Sequence, residues 1–407
     1  MTGRRELVVL LSEGSSLTAR ETMNVLGCAG IRVEVVSPDA WPLAGFSRWC
    51  RAVHRAPAPA VDPIGYLGAV DALMATGRFS ALLPTHEQAW LFAAGRHLLP
   101  HANPPVAGIA AFDRVQSKTA FARTLDKLGL PQPAWRTLST LADVLAFGLP
   151  AWLKSAYSTA GRGVLHVRDA SEAEAAWNLL QGHGELMIQA EAPGRYAQVQ
   201  GVFEHGRLIG AAASELLAAG AGGSAAARLS VSHPEALDAL RALGETLQWH
   251  GGLALDYLHV GGRPLLIECN PRMIEPGNAA AAGVDLPRLL MDLADGARLP
   301  RTPIIARPGV RTRSTMAIAL GAAERAGTRR AVLRAVTDAI ARRPPLRRSR
   351  EVLTPILRDP AGIIPSGVVL ANLLADPRRV ARLAGRSVTA YFLTPDAIRI
   401  VRNPHTR

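Results

Sequence analysis

The sequence predicts a protein of mixed α/β and α+β class, and three observations carry that prediction. Short apolar runs alternate with helical signals over the first hundred or so residues. Later runs come in close pairs joined by glycine, as antiparallel hairpins do, and the chain beyond Pro308 turns helical and rich in arginine. With 407 residues, 48% of them hydrophobic, there is material for two or three folded domains.

Taken in order, residues 7–11 read as a strand, 17–26 as a helix, 31–36 and 81–84 as further strands, which suggests a parallel layer. The turn after the first strand, Ser12-Glu13-Gly14-Ser15-Ser16, lacks G-x-G-x-x-G, so a dinucleotide site is unsupported. Asn103-Pro104-Pro105 marks a boundary, and a helix is expected over 113–128, ended by Gly129-Leu130-Pro131. Strands at 151–154 and 164–167 flank a loop of small residues, a helix at 171–180 leads to a strand at 185–189, and 196–203 with 207–213 forms a hairpin. Residues 218–227 are nearly all Ala and Gly and read as a mobile loop. A helix over 234–249 precedes a second hairpin, 253–260 with 265–272, and a last strand is expected at 387–393.

Charge is unevenly placed. The net +13 resides in residues 297–407, where 22 arginines face six acids to give +16, leaving −3 elsewhere. The densest cluster, Arg342-Arg343-Pro344-Pro345-Leu346-Arg347-Arg348-Ser349-Arg350, offers phosphates or an acidic surface a partner; a solvated basic face is the alternative. Only three of 46 basic residues are lysines, namely Lys118, Lys127 and Lys154, so a lysine here is an unusual choice. Cys28, Cys50 and Cys269 lack the spacing of a zinc site or disulfide framework. No opening secretory signal or membrane-length apolar run is read, and the expected location is cytoplasmic.

The second hairpin carries the strongest signal. Side chains alternate along a strand, so Glu268 and Asn270 share a face. If the turn centres on Gly262, Asp256 stands opposite Glu268, and two facing carboxylates in apolar runs repel each other and are costly to bury. Such hard oxygen ligands suggest Mg²⁺. A tight Gly261-Gly262 turn would instead pair Asp256 with Ile267 and turn Glu268 away, so an odd-length loop or a bulge belongs to the expectation. Two solvated surface acids are the alternative. Cys269 should point to the opposite face.

Upstream, Lys154 ends a strand before Ser155-Ala156-Tyr157-Ser158-Thr159-Ala160-Gly161-Arg162-Gly163, a loop able to lay backbone N–H groups against phosphate oxygens. It is not a Walker A sequence, in which Lys follows the glycines. A plain glycine-containing hairpin is the alternative.

In this order and spacing, these features resemble the ATP-grasp superfamily, in particular the ATP-binding modules of carbamoyl-phosphate synthase, biotin carboxylase and related carboxylate-amine ligases. The resemblance spans roughly residues 7–299 and rests on Asp113-Arg114, Leu128-Gly129-Leu130-Pro131-Gln132-Pro133, the loop after Lys154, the stretch 185–194, and Glu268-Cys269-Asn270-Pro271-Arg272. It implies an ATP-grasp fold with an N-terminal Rossmann-like pre-ATP-grasp domain (1–108). The ATP-grasp domain (109–300) would have a small ATP-binding lobe about 130–190 and a central lobe about 191–300, followed by a basic, mostly helical C-terminal extension (301–407). It implies that Arg114 and Lys154 contact the ATP phosphates beside Ser158, Gly161 and Gly163, and that Gln189, Ala190 and Glu191 read adenine. Asp256, Glu268 and Asn270 would hold one or two Mg²⁺, with Mn²⁺ as an alternative, and Arg272 would stabilise charge on the transferred phosphoryl group. Many relatives carry Glu after Pro193-Gly194-Arg195, where this chain has Tyr196 and Gln198, which leaves the ribose or amine contact open. Arg228 and Glu87 are candidates for a substrate carboxylate and amine; a loop-surface Arg and a helix-start Glu are their alternatives.

The implied activity is ATP-dependent ligation, in which a carboxylate is activated as an acyl phosphate and joined to an amine with release of ADP and phosphate. Bicarbonate activation is the nearest rival, although a complete carbamoyl-phosphate synthase would show two tandem modules and one is read here. An ATP-binding sensor or nucleic-acid-associated protein using the basic tail is the rival of another class, and the full acid, amide and basic set argues against it. The expected partners are small-molecule carboxylate and amine substrates, with no membrane; nucleic acid is disfavoured and a homodimer is left open.

Overall fold

The computed structural model describes residues 7–157, 163–182, 184–389 and 392–402. Four parallel strands open the chain: β1 (Val8–Leu11), β2 (Arg32–Ser37), β3 (Cys50–Arg55) and β4 (Ala81–Leu83), in the order β3-β2-β1-β4. All of β1 is buried, as a parallel strand covered on both faces must be. Strand β3 escaped the sequence reading because Cys-Arg-Ala-Val-His-Arg, half buried at the sheet edge, gives neither an apolar run nor a clean alternation.

The helix expected over 113–128 is broken into Ile109–Asp113 and Lys118–Leu128. The Ser117 hydroxyl accepts the Ala120 N–H and so starts the second helix at Lys118. Gly129, at φ +64°, ends it.

A small antiparallel sheet follows, with β5 (Trp135–Leu138), β6 (Ala151–Ser155), β7 (Val164–Val167) and β8 (Leu186–Ala190) in the order β5-β8-β6-β7. Its own core is formed by Leu138, Val144, Leu153, Leu180 and Ile188. The large sheet is built from β9 (Arg195–Glu204), β10 (Arg207–Ala219), β11 (Ala225–Val231), β12 (Gly251–Val260) and β13 (Arg263–Asn270), joined by the short β14 (Ile304–Ile305), β15 (Arg311–Arg313) and β16 (Arg350–Glu351). Its path is β13-β12-β9-β10-β11-β15-β16, with β14 paired to β10. The basic C-terminal part thus supplies three short strands as well as helices such as Thr315–Ala326 and Arg329–Ile340.

Two expectations give way. Residues 218–227 are the ends and turn of the β10-β11 hairpin, with Ala226 and Ala227 packed against Ala317 and Ile318. Small residues on both sides serve close packing, since a Cβ on Gly220 would meet the Ala317 carbonyl oxygen at 3.3 Å and one on Gly321 would come within 2.5 Å of the Ala219 carbonyl oxygen. The strand expected at 387–393 is replaced over its first residues by the helix Val380–Thr389.

A polar seam closes the chain on itself. Helix Leu17–Cys28 buries Arg20, whose Nη2 lies 2.6 Å from Asp359 Oδ2 with both side chains fully buried, and whose Nε and Nη1 donate to the carbonyls of Leu353 and Phe46. Asn24 donates to the carbonyls of Val352 and Leu353. Among the described residues no helix is long and apolar enough to cross a membrane.

Candidate active site

The site starts with the register of β12 on β13. Val260 pairs with Arg263, so Gly261 and Gly262, at φ +53° and +80°, form a two-residue turn. The turn is the tight two-residue one and not an odd-length loop, and the bulge that the expectation allowed keeps Glu268 on the face of Asp256. Between Asp256 and Tyr257 the register shifts, Ile267 is left over, and Asp256 stands opposite Glu268 with Ala254 opposite Asn270. Cys269 pairs with Leu255 and is buried in the core on the other face.

Asp256 is 6% exposed, and burial followed by the charge of Glu268 pushes its pKa up to about 6. Its two oxygens accept hydrogen bonds from Gln198 Nε2 at 2.8 Å and Asn270 Nδ2 at 3.1 Å. Glu268, on the rim, behaves oppositely. The protein packed around it would raise its pKa, yet Lys118, Lys154 and Arg272 together hold it below the usual value.

Two of the three lysines in the chain therefore converge on this carboxylate. Lys118 Nζ lies 3.3 Å from Glu268 Oε1. Lys154 Nζ donates to Gln189 Oε1 at 2.6 Å, and burial, with the like charge of Lys118, lowers its pKa to about 8 against the pull of Glu268. Sequence reasoning passed over Lys118, although the scarcity of lysine could have flagged it. The small sheet and the large sheet meet here, where the Leu266 N–H also donates to the Pro131 carbonyl.

Along the large sheet the face continues as one polar rung: Glu268 opposite Asp256, Asp256 opposite Gln198, Gln198 opposite Ser214. Arg228, on β11, reaches into it. Its Nη1 lies 3.3 Å from Gln198 Oε1 and 3.4 Å from Ser214 Oγ, and its Nη2 lies 3.0 Å from Glu275 Oε2. Arg228 is 8% exposed, which removes the loop-surface alternative. Glu275 sits at φ +34°, a conformation costly for a residue with a Cβ. Beside it Glu21 accepts the Gly277 N–H, and burial followed by the charge of Glu275 lifts its pKa to about 8.

The remaining candidates are placed as follows. Arg272 is half-buried with Nε lacking a hydrogen-bond partner, and it acts on Glu268 through its charge. Gln189 spends its side-chain oxygen on Lys154, and the Ala190 N–H bonds the Ala134 carbonyl. Glu191 is exposed, 3.6 Å from His166 Nε2. Arg114 is exposed at the end of helix Ile109–Asp113, its carbonyl accepting the Thr124 hydroxyl. Gly163 closes the base of the Lys154 loop by accepting the Ser155 N–H, while Ser158 and Gly161 lie outside the described residues. Glu87 Oε2 accepts the Leu393 N–H.

A small antiparallel lobe meeting a large antiparallel sheet, with opposed carboxylates and two lysines at the junction, resembles the fold of ATP-grasp enzymes. The comparisons with known proteins agree with it. No family model matches the chain. Over 218 residues, 47% of its length, the chain is 28% identical to the carbamoyl phosphate synthase large chain of Thermus thermophilus, and it spans 20% of the length of that relative. Its fold is similar to that of biotin carboxylase from Campylobacter jejuni, at a TM-score of 0.57 and 15% identity over 72% of each chain. It is equally similar to L-amino acid ligase from Bacillus licheniformis, at a TM-score of 0.57 and 14% identity over 72% of this chain and 74% of that one.

Proposed function

We propose that this chain is an ATP-dependent carboxylate-amine ligase. The observation that carries the reading is the meeting of Lys118 and Lys154 with the opposed Asp256 and Glu268. Phosphoryl transfer needs cations and alignment more than covalent help from the protein. The donor set fits Mg²⁺, or Mn²⁺: two facing carboxylates, one driven up to about 6 by burial and by its neighbour, with the Asn270 amide beside them. Bound between Asp256, Glu268 and Asn270, the ion would neutralise phosphate charge.

The residues of the chain do the rest. Lys118 and Lys154 hold the ATP phosphates, and Arg272 stabilises charge on the transferred group. A substrate carboxylate oxygen attacks the terminal phosphorus, the bond to ADP breaks, and an acyl phosphate forms. The amine then attacks the acyl carbon, phosphate leaves, and the amine loses its proton. Arg228 offers the carboxylate a fixed cation, while Glu275 offers an anionic partner to an ammonium group. In domain terms we assign residues 1–108 to a Rossmann-like pre-ATP-grasp unit, 109–300 to the ATP-grasp domain, and 301–407 to an extension whose first part completes the large sheet.

Similarity to carbamoyl phosphate synthase supports a second reading, activation of bicarbonate. An ADP-release screen separates the two: release that requires an amino acid or another organic carboxylate together with an amine supports the ligase, and release with bicarbonate alone supports the rival. Glu268→Ala is the blank, and turnover that survives it overturns the site assignment.

A further inference from the structure

The other face of the large sheet carries a second cluster of donors, of different chemistry. Glu215 on β10 and Tyr257 on β12 flank Ala197 on β9, and His259 follows two residues after Tyr257 on the same face. Asp256 and Gln198 point the opposite way. His233 completes the group from the start of helix Pro234–Thr246, where its side chain makes no capping hydrogen bond. We propose that Glu215, His233 and His259 form a zinc site separate from the proposed ATP face.

The geometry supports this in four ways. One ligand atom from each of the three residues can be chosen so that all lie within 4.8 Å of one another. His233 Nε2 already stands 3.6 Å from Glu215 Oε1, against the roughly 3.4 Å separating neighbouring ligands around a tetrahedral zinc. The other nitrogen of His233, Nδ1, lies 2.8 Å from the Tyr257 hydroxyl, the outer contact that orients a metal-binding imidazole and leaves Nε2 as the ligand. His259 Nε2 is buried with no hydrogen-bond partner, so it gives up nothing on capture.

The two imidazoles are stacked, with centroids 3.6 Å apart and planes 16° from parallel. Their in-plane lone pairs therefore run side by side, and capture requires one ring to rotate. Glu215 Oε2 lies 3.4 Å from Arg195 Nη1, a side chain 83% exposed that can swing away, and Glu235 adds a further carboxylate near His233. Imidazole nitrogens favour zinc over magnesium, whereas the all-oxygen Asp256 set favours the reverse. A zinc here would tie β10, β12 and the helix start together behind Gly194, whose backbone packs so closely that a Cβ would meet the His259 carbonyl at 2.8 Å.

The test uses the full chain carrying Glu268→Gln, which removes one of the two carboxylates of the oxygen site, stripped of metal with EDTA and titrated with Zn²⁺ alone by calorimetry. One equivalent should bind and should raise the thermal midpoint, while Mg²⁺ at the same concentration should not. Substitution with Co²⁺ should give the intense visible bands of a low-coordinate site. His259→Gln and Glu215→Gln should each weaken Zn²⁺ at least about tenfold, with far-UV circular dichroism of the metal-free variants unchanged. Absence of Zn²⁺ binding in the Glu268→Gln chain, or equal affinity in a folded His259→Gln chain, overturns the proposal. So does a midpoint raised equally by Zn²⁺ in both.

Discussion

The hairpin cluster and the polar seam are both buried concentrations of charge, but they are assembled in opposite ways. At the hairpin, Asp256 and Asn270 are 14 positions apart, and the two carboxylates face each other with their balancing lysines arriving from other elements. Glu268 stays 40% exposed and Arg272 Nε has no partner, so the cluster has capacity left for a ligand. In the seam, Arg20 reaches Asp359 across 339 positions, both side chains are fully buried, and carbonyls take its other N–H groups. Such closure holds the chain together and leaves nothing to offer. Incomplete satisfaction marks the site, and the closed Arg20–Asp359 pair marks the scaffold.

Lysine replacements test the first half of the contrast and should have the largest effect. Lys154→Met and Lys118→Met should each lower ADP release on the order of 100- to 1,000-fold, the scale of losing a fixed charge at developing phosphoryl charge. Thermal stability should hold or rise, because the fold keeps Lys154 charged against burial that brings its pKa down to about 8. Unchanged turnover in Lys118→Met would break the two-lysine reading, and Arg114→Ala should cost less than either. In the seam the effect should reverse. Asp359→Ala leaves the Arg20 guanidinium buried without its anion and should cost about 3–5 kcal/mol of stability in a denaturant titration, with ATP affinity unchanged. If it instead lowered turnover in a fully folded chain, the division between site and scaffold would fail.

What could be read from the sequence follows the same division. The facing of Asp256 and Glu268 depends on local register, which alternation and a glycine turn largely specify. Of the two devices expected, an odd-length loop or a bulge, the structure uses the bulge, at Ile267, whose position leaves no sequence signature while a two-residue Gly-Gly turn does. Lys118 was missed because its role depends on Ser117 starting a helix there and on a sheet edge far along the chain. The seam was invisible for a further reason. Thr18, Arg20, Glu21 and Asn24 would be read as the solvent face of an amphipathic helix, yet all are buried, since helix Leu17–Cys28 is covered by residues beyond 350. Likewise 218–227 reads as loose by composition, when its small residues are a condition of helix Thr315–Ala326 packing on it.

Glu21 lies where the two regions touch, on the seam helix but beside Glu275 and Arg228, and its titration gives the smallest and finest test. Its pKa is about 8 in the fold against 4.5 as the ordinary value, so the folded chain holds a proton that the unfolded chain releases. The stabilisation from this group is complete below pH 4.5 and is lost as pH rises through about 8. Asp256 contributes in the same direction, but its share ends near pH 6, whereas that of Glu21 continues from pH 6 to about 8. Glu21→Gln keeps an acceptor for the Gly277 N–H and removes the charge. Its thermal midpoint should therefore fall less between pH 6 and 8 than that of the unaltered chain. Parallel curves in that window would overturn the assignment of the proton to Glu21.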